Sequence, residues 1–244
     1  MNKTKKLETK DLIKVLKSYD EKEYEMQEIA MLTLMLSSGM GVYDILNLKY
    51  YDLLVSVTEY FVDTEICPMC FDEVYAHLRF RDDVIGTWEM YNIKRNIPYV
   101  TFCTAEAIHA ILDWLYIRNE EHFCVHEPLF TGINGKGITR EEIAAIFRQM
   151  RNNSGIDIWA HDVRKLFVKT LKSSEVPDEY IDHLLGHSFD DAITAFLCQS
   201  TEFLKGYYMN AAPQFNLNQS GNALGHEDYL YWLDAVKYDN WLVD

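Results

Sequence analysis

Two short runs in the second half of the chain carry side chains suited to gripping an anion. In Ala160-His-Asp-Val-Arg-Lys, His161 and Arg164 stand three residues apart. If a helix begins at Ala160 or His161, that spacing puts imidazole and guanidinium on one face of its first turn, where unpaired backbone N–H groups also favour negative charge. The second run is Leu184-Leu-Gly-His187. Gly186 supplies a left-handed residue that ends a helix and throws His187 back over the helix before it. Imidazole, guanidinium and a second imidazole then converge on one phosphate.

The surrounding pattern supplies the elements that would hold them. Val163, Leu166, Phe167, Thr170 and Leu171 recur at helical spacing and turn inward, while Lys165, Lys169 and Lys172 point to water. Pro177 opens a second helix at its first position, with Tyr180, Ile181, Leu184 and Leu185 on the buried side.

His161-Asp-Val-Arg164-Lys and Leu184-Leu-Gly-His187-Ser resemble the two C-terminal boxes of the tyrosine recombinases, the phage-integrase family. The resemblance runs from about Thr9 to about Met209, and its wording is closest to archaeal members. It implies an α+β, mainly α-helical fold with a small antiparallel β-sheet. Residues 1–212 would form the catalytic domain, with no N-terminal core-binding domain, and 213–244 a linker and an acidic C-terminal helix. The activity implied is site-specific DNA breakage and rejoining through a 3′-phosphotyrosine, with no metal or cofactor consumed. Arg164 would clamp the phosphate and His161 and His187 would bond it or assist proton transfer. Lys94, in a hairpin turn with Arg95 as runner-up, would protonate the leaving oxygen. Tyr208 or Tyr207 would attack.

Two positions depart from the family pattern. Its first box reads Thr-Gly-Leu-Arg-x-x-Glu-Leu-x-x-Leu, and Ser38-Gly-Met-Gly41-Val-Tyr-Asp44-Ile-Leu-Asn-Leu48 puts glycine in place of the arginine and Asp44 in place of the acid. Lys49 follows as a point charge that lacks the arginine fork. The commonest tyrosine position, nine residues after His187, holds Phe196, which has no oxygen to attack with. A second reading therefore stands beside the enzyme: a catalytically degenerate member of the fold that binds DNA or a partner without cleavage.

A formal net charge of −15 opposes nucleic-acid binding at long range. The distribution softens this, because Lys136 to Lys172 holds eight Lys and Arg against four Asp and Glu. Double-stranded DNA is the expected partner, through Lys165, Lys169, Arg95 and Arg148, with modest and steeply salt-dependent affinity. A homo-oligomer on DNA through the C-terminal helix also follows from the resemblance. Five scattered cysteines argue against a disulfide framework. Cys67-Pro-Met-Cys70 and His122-Phe-Cys124-Val-His126 make only a weak zinc signal, since the second lacks the usual two-residue gap, and no metal is assigned. With no membrane-length apolar run and a charged start, the chain reads as cytoplasmic.

In chain order the periodicity predicts helices from a Thr9 cap to about Ser18 and from about Lys22 to Leu36. Further helices span Tyr50–Tyr60 and Phe71–Phe80. Strands follow over 86–92 and 97–102, then helices over 105–118 and from a Thr139 cap to about Met150, and another through Glu202–Tyr208. The glycines of 132–137 lack the Walker spacing and read as a plain loop.

Overall fold

The computed structural model describes residues 6–18, 26–62, 64–68, 70–118, 124–187 and 200–217. Its elements run α1 (Thr9–Lys17), α2 (Met26–Ser38), α3 (Val42–Asn47), α4 (Tyr50–Ser56), a 3₁₀ turn (Thr58–Phe61) and α5 (Phe71–Leu78). Then come β1 (Gly86–Asn92), β2 (Ile97–Cys103), α6 (Ala105–Arg118), α7 (Arg140–Ser154), α8 (Ala160–Ser173), α9 (Asp178–Leu184), α10 (Thr201–Ala211) and a 3₁₀ turn (Ala212–Phe215). The fold is α+β and mainly helical, with one small antiparallel sheet. Phe196, His122 and residues 218–244, including the expected acidic helix, lie outside the described residues.

A helix that is apolar on every side has to be surrounded. Segment α2 is such a helix, with Ala30, Leu32, Leu34 and Met35 fully buried, and it packs against α6, α8 and β2. The two strands pair in register from Gly86↔Cys103 to Asn92↔Ile97, so their turn, residues 93–96, stands at the far end from α6. Residues alternate across the strands: Tyr99 and Thr101 turn inward while Pro98 is exposed. Packing continues past residue 212, the expected domain border. Phe215 stacks on Phe167 and Tyr208, and Leu217 is buried.

Several boundaries differ from the periodicity for local reasons. The cap of α1 is Glu8, not Thr9, with the Asp11 carboxylate accepting from the Glu8 N–H at 3.2 Å. The expected single helix over 50–60 breaks after Ser56. The Ser56 and Thr58 hydroxyls donate to the Leu53 and Leu54 carbonyls at 2.8 and 2.9 Å, competing with the helix ladder. Thr139 does cap α7 through a reciprocal pair with Glu142, but the helix runs on to Ser154, where Gly155 ends it at φ 67°. Pro177 caps α9 from outside instead of filling its first turn. The 132–137 segment is a closed turn, with Thr131 bridged to Gly137 and Glu142 accepting from the Ile133 N–H.

Between α5 and α6 lies a buried ion pair. Arg79 Nε donates to Asp113 Oδ1 at 2.7 Å, and the Tyr75 hydroxyl donates to the same oxygen at 3.1 Å. Both charged side chains are 6% exposed. Losing one partner strands the other charge in the core, at a cost of about 3–5 kcal/mol. Asp113→Ala is expected to lower the unfolding free energy by that amount in urea titration, whereas Arg79→Met with Asp113→Leu recovers most of it. Nearby, burial and the Arg79 charge hold the His109 pKa below its ordinary value, and burial alone lowers that of His183. Such histidines bind fewer protons folded than unfolded, so their stabilisation is full above the ordinary value of about 6.5 and is lost as pH falls below it. The urea midpoint should therefore drop between pH 7 and pH 5, with a shallower drop in His109→Gln.

Candidate functional site

The entry to α8 is fixed before the turn that carries His161 and Arg164. Trp159 precedes the helix in extended conformation, stacked on the Arg151 guanidinium at 3.7 Å, and its indole N–H donates to Asp157 at 2.9 Å. His161 is exposed on the first turn. Arg164 follows a turn later and Phe167 a turn after that. The Phe167 ring lies where a side chain on Gly39 would be, 2.3 Å from an added Cβ, and Gly39 has φ +67°. Only glycine satisfies both demands. With the helix docked there, Arg164 Nη1 donates to the Gly39 carbonyl at 2.6 Å.

The end of α9 supplies a second anchor. Gly186 at φ 65° closes the helix, its N–H donating to the His183 carbonyl and the His187 N–H to the Asp182 carbonyl, each at 2.8 Å. That pairing leaves the Leu185 carbonyl for Arg164 Nη2, at 2.8 Å. His187 Nδ1 lies 2.8 Å from Asp182 Oδ1, so its other ring nitrogen points away from that partner, on a side chain 35% exposed. Gly186 also lies flat on the Tyr99 ring, where an added Cβ would come within 2.7 Å of Cδ1. Asn92 Nδ2 donates to the Gly186 carbonyl at 2.8 Å, tying the hairpin end to this turn.

The start of α3 completes the surround. The Gly41 N–H donates to Asp44 Oδ2 at 2.7 Å, and that oxygen stands 3.8 Å from Arg164 Nη1. A Cβ on Gly41 would meet Asp44 Oδ2 at 3.4 Å and Arg164 Nη1 at 3.6 Å, which is ordinary contact. The glycine is therefore not demanded by space. A guanidinium has five N–H donors. Here carbonyls take two, one on each terminal nitrogen, and the side chain is 22% exposed with one carboxylate close by, so three N–H donors are left over from these bonds.

The structure thus anchors Arg164 to the turn that ends in His187, with His161 a helical turn before Arg164. Lys94 and Arg95 are exposed in the hairpin turn beside that end of α9. Tyr208 is not brought to the site. It is fully buried between Phe102 and Phe215, its hydroxyl donates to the Ser37 carbonyl at 2.8 Å, and burial holds its pKa well above the ordinary tyrosine value. Tyr207 packs between Tyr180 and Phe203 on the outer side of α10. Lys165 pairs with Asp162 at 3.0 Å, Lys169 lines a cleft with Glu8, Lys10 and Gln214, and Arg148 is exposed on α7. Lys49 is exposed at the cap of α4, and no contact among the described residues joins it to Arg164. Among the described residues no three metal-ligating side chains cluster.

One neighbour of Arg164 was not legible in the sequence. Tyr99, on β2 and 4% exposed, has its hydroxyl under the influence of both Asp44 and Arg164. Burial and Asp44 raise its pKa, while Arg164 opposes them. Strand alternation marks Tyr99 as an inward residue, but nothing in the pattern says what it faces.

Residues 4–197 match the model of the phage integrase family. No curated protein and no solved structure matches the chain. The matched span takes in Gly39, Asp44, Tyr99, Arg164 and His187, and stops short of Tyr207 and Tyr208. Covering most of the 244 residues and every segment that meets at the guanidinium, this match shows that the chain belongs to the phage integrase family.

Proposed function

We propose that this integrase- or recombinase-type chain grips one backbone phosphate of duplex DNA with Arg164 and does not cut the strand by itself. The observation that carries the reading is the contrast between two side chains. Arg164 is assembled from three directions with donors to spare, while the Tyr208 hydroxyl is buried on the Ser37 carbonyl. A phosphorane-like transition state would also lack the second guanidinium, since Gly41 has none. Losing such a donor costs on the order of a hundredfold or more in rate.

A second reading, strand breakage through a 3′-phosphotyrosine, has one observation in its favour. Ser37, which holds Tyr208, and Gly39, which holds Arg164, are two residues apart in sequence. Withdrawal of α10 would free a hydroxyl next to the site. In that reading Tyr208 or Tyr207 attacks, His161 and His187 assist at the phosphate, and Lys94 protonates the leaving oxygen. Both readings take Lys165, Lys169, Arg95 and Arg148 as backbone contacts and place the protein in the cytoplasm. Assembly on DNA through the C-terminal segment and archaeal affinity belong to the same proposal.

Fluorescence anisotropy with a labelled duplex at low salt tests the grip, because an acidic chain keeps little affinity once phosphate contacts are screened. Arg164→Lys keeps the charge but loses the fork. It should bind about tenfold more weakly, the scale of one charge-assisted hydrogen bond, with an unchanged circular dichroism spectrum. Equal binding by the variant would end the proposal. A nicked suicide duplex decides between the readings: the wild type is expected to give no covalent product, and a product that vanishes in Tyr208→Phe or Tyr207→Phe would establish cleavage. Because a Cβ at position 41 meets only ordinary contacts, Gly41→Arg should fold with a loss under about 1 kcal/mol at the helix cap and bind the duplex several-fold more tightly.

A further inference from the structure

A sheet of two strands has no third strand to steady its turn, and a lone hairpin is marginal in water. Strands β1 and β2 form such a sheet, and the turn at 93–96 stands at the end away from α6. That turn carries Lys94 and Arg95, both exposed, and neither makes a salt bridge among the described residues. Two cations on a swinging tip add little to a site, because each contact must first overcome the entropy of ordering the loop. For Lys94 and Arg95 to share a register with Arg164, the tip has to be tethered.

The side chain of Asn92, the last residue of β1, is bonded at both of its ends. Nδ2 donates to the Gly186 carbonyl at 2.8 Å, and Oδ1 accepts from the Arg95 N–H at 3.2 Å. A carboxamide has one end that donates and one that accepts, and only this orientation satisfies both partners. The Arg95 N–H also reaches the Asn92 carbonyl at 3.2 Å, so one residue holds the Arg95 backbone twice. Across the turn the Tyr91 hydroxyl donates to Asn96 Oδ1, and Asn96 closes the turn in left-handed conformation at φ 58°. The other end of the tether is equally fixed. Gly186 lies against the Tyr99 ring of β2, and the carbonyl just before it, that of Leu185, accepts from Arg164 Nη2. Consecutive carbonyls of one turn are therefore taken by the guanidinium and by the hairpin.

We propose that Asn92 is a positioning residue: its carboxamide ties the hairpin tip to the turn that anchors Arg164, so that Lys94, Arg95 and the guanidinium meet one DNA backbone in a fixed register. The inference rests on the reading of Arg164 as a phosphate grip, and deepens it by naming what brings the tip cations to the same strand. Asn92 acts through Lys94 and Arg95, because both ends of its side chain are already bonded to backbone groups.

Asn92→Ala removes both side-chain bonds and leaves the Arg95 N–H its backbone partner. By ¹⁵N relaxation, residues 93–96 should be rigid in the wild type, with order parameters of about 0.85, and fall below about 0.6 in the variant. Duplex affinity at low salt should drop about tenfold. The slope of log affinity against log salt should become shallower by about 0.9 for each tip cation that no longer reaches a phosphate. A merely structural loss would weaken binding whatever stands at the tip. The positioning role requires instead that Asn92→Ala cost nothing further in a chain already carrying Lys94→Ala and Arg95→Ala. An equally ordered tip in Asn92→Ala, an unchanged salt slope, or an additional loss in the triple variant overturns the proposal. The relaxation measurement needs no DNA and so separates this failure from failure of the phosphate reading. Should Arg164→Lys bind the duplex as the wild type does, the phosphate reading falls; a loosened tip in Asn92→Ala then still establishes the tether, and an ordered one removes it too.

Discussion

One guanidinium ties together parts of the chain that are far apart in sequence. Arg164 leaves α8, donates to the Gly39 carbonyl before α3 and to the Leu185 carbonyl after α9, and stands 3.8 Å from the Asp44 carboxylate. Each acceptor lies where a backbone group would otherwise go unpaired, at the end of a helix. Gly39 and Leu185 are themselves buried, so water cannot replace the arginine there without opening the core. Removing the side chain would therefore release two carbonyls and an adjacent carboxylate together. The node thus joins the ends of α2 and α9 and the start of α3 to α8.

The apolar packing makes the node possible. Phe167, one turn beyond Arg164, fills the space above Gly39 and stacks on Phe215, which stacks in turn on Tyr208. That aromatic column sets the depth to which α8 sinks against α2. The same column encloses the Tyr208 ring and directs its hydroxyl to Ser37. What seats the arginine so well also buries the tyrosine. A phenol with its pKa pushed up by burial and its proton committed to a carbonyl is a poor nucleophile, since attack needs both an exposed oxygen and a route for the proton.

Much of this was legible in the sequence because it depends on short-range pattern. The Val163, Leu166, Phe167, Thr170 and Leu171 stripe located the buried face of α8, and the Leu-Gly-His run located the left-handed turn at Gly186. The hairpin was legible from two β-rich runs about a polar turn. Cap identity at Glu8 and the break after Ser56 were not, because they turn on single side-chain bonds that compete closely with the helix ladder. The direction of Tyr208 was not legible either. Tyr207 and Tyr208 are adjacent and chemically identical, and only the docking angle of α10 decides which one enters the core. Tyr99 depends on a contact between β2 and the α9 turn, a long-range approach that no periodicity encodes.

The departure from the family pattern at position 41 differs from Arg164 in what it costs the fold. At position 41 the backbone has ordinary φ, −90°, and the neighbouring atoms leave room for a Cβ, so glycine there withholds a charge without repairing any strain. The cap of α3 stands on the backbone N–H of residue 41 and the Asp44 carboxylate, neither of which needs a side chain at 41. A cationic group can thus be absent at position 41 while Arg164 stays in place, because the cap of α3 needs no side chain at 41 whereas Arg164 holds two backbone carbonyls. Arg164 has bonds to keep whether or not a strand is ever cut. Its presence is consequently weaker testimony about catalysis than position 41, where glycine answers no demand of the fold.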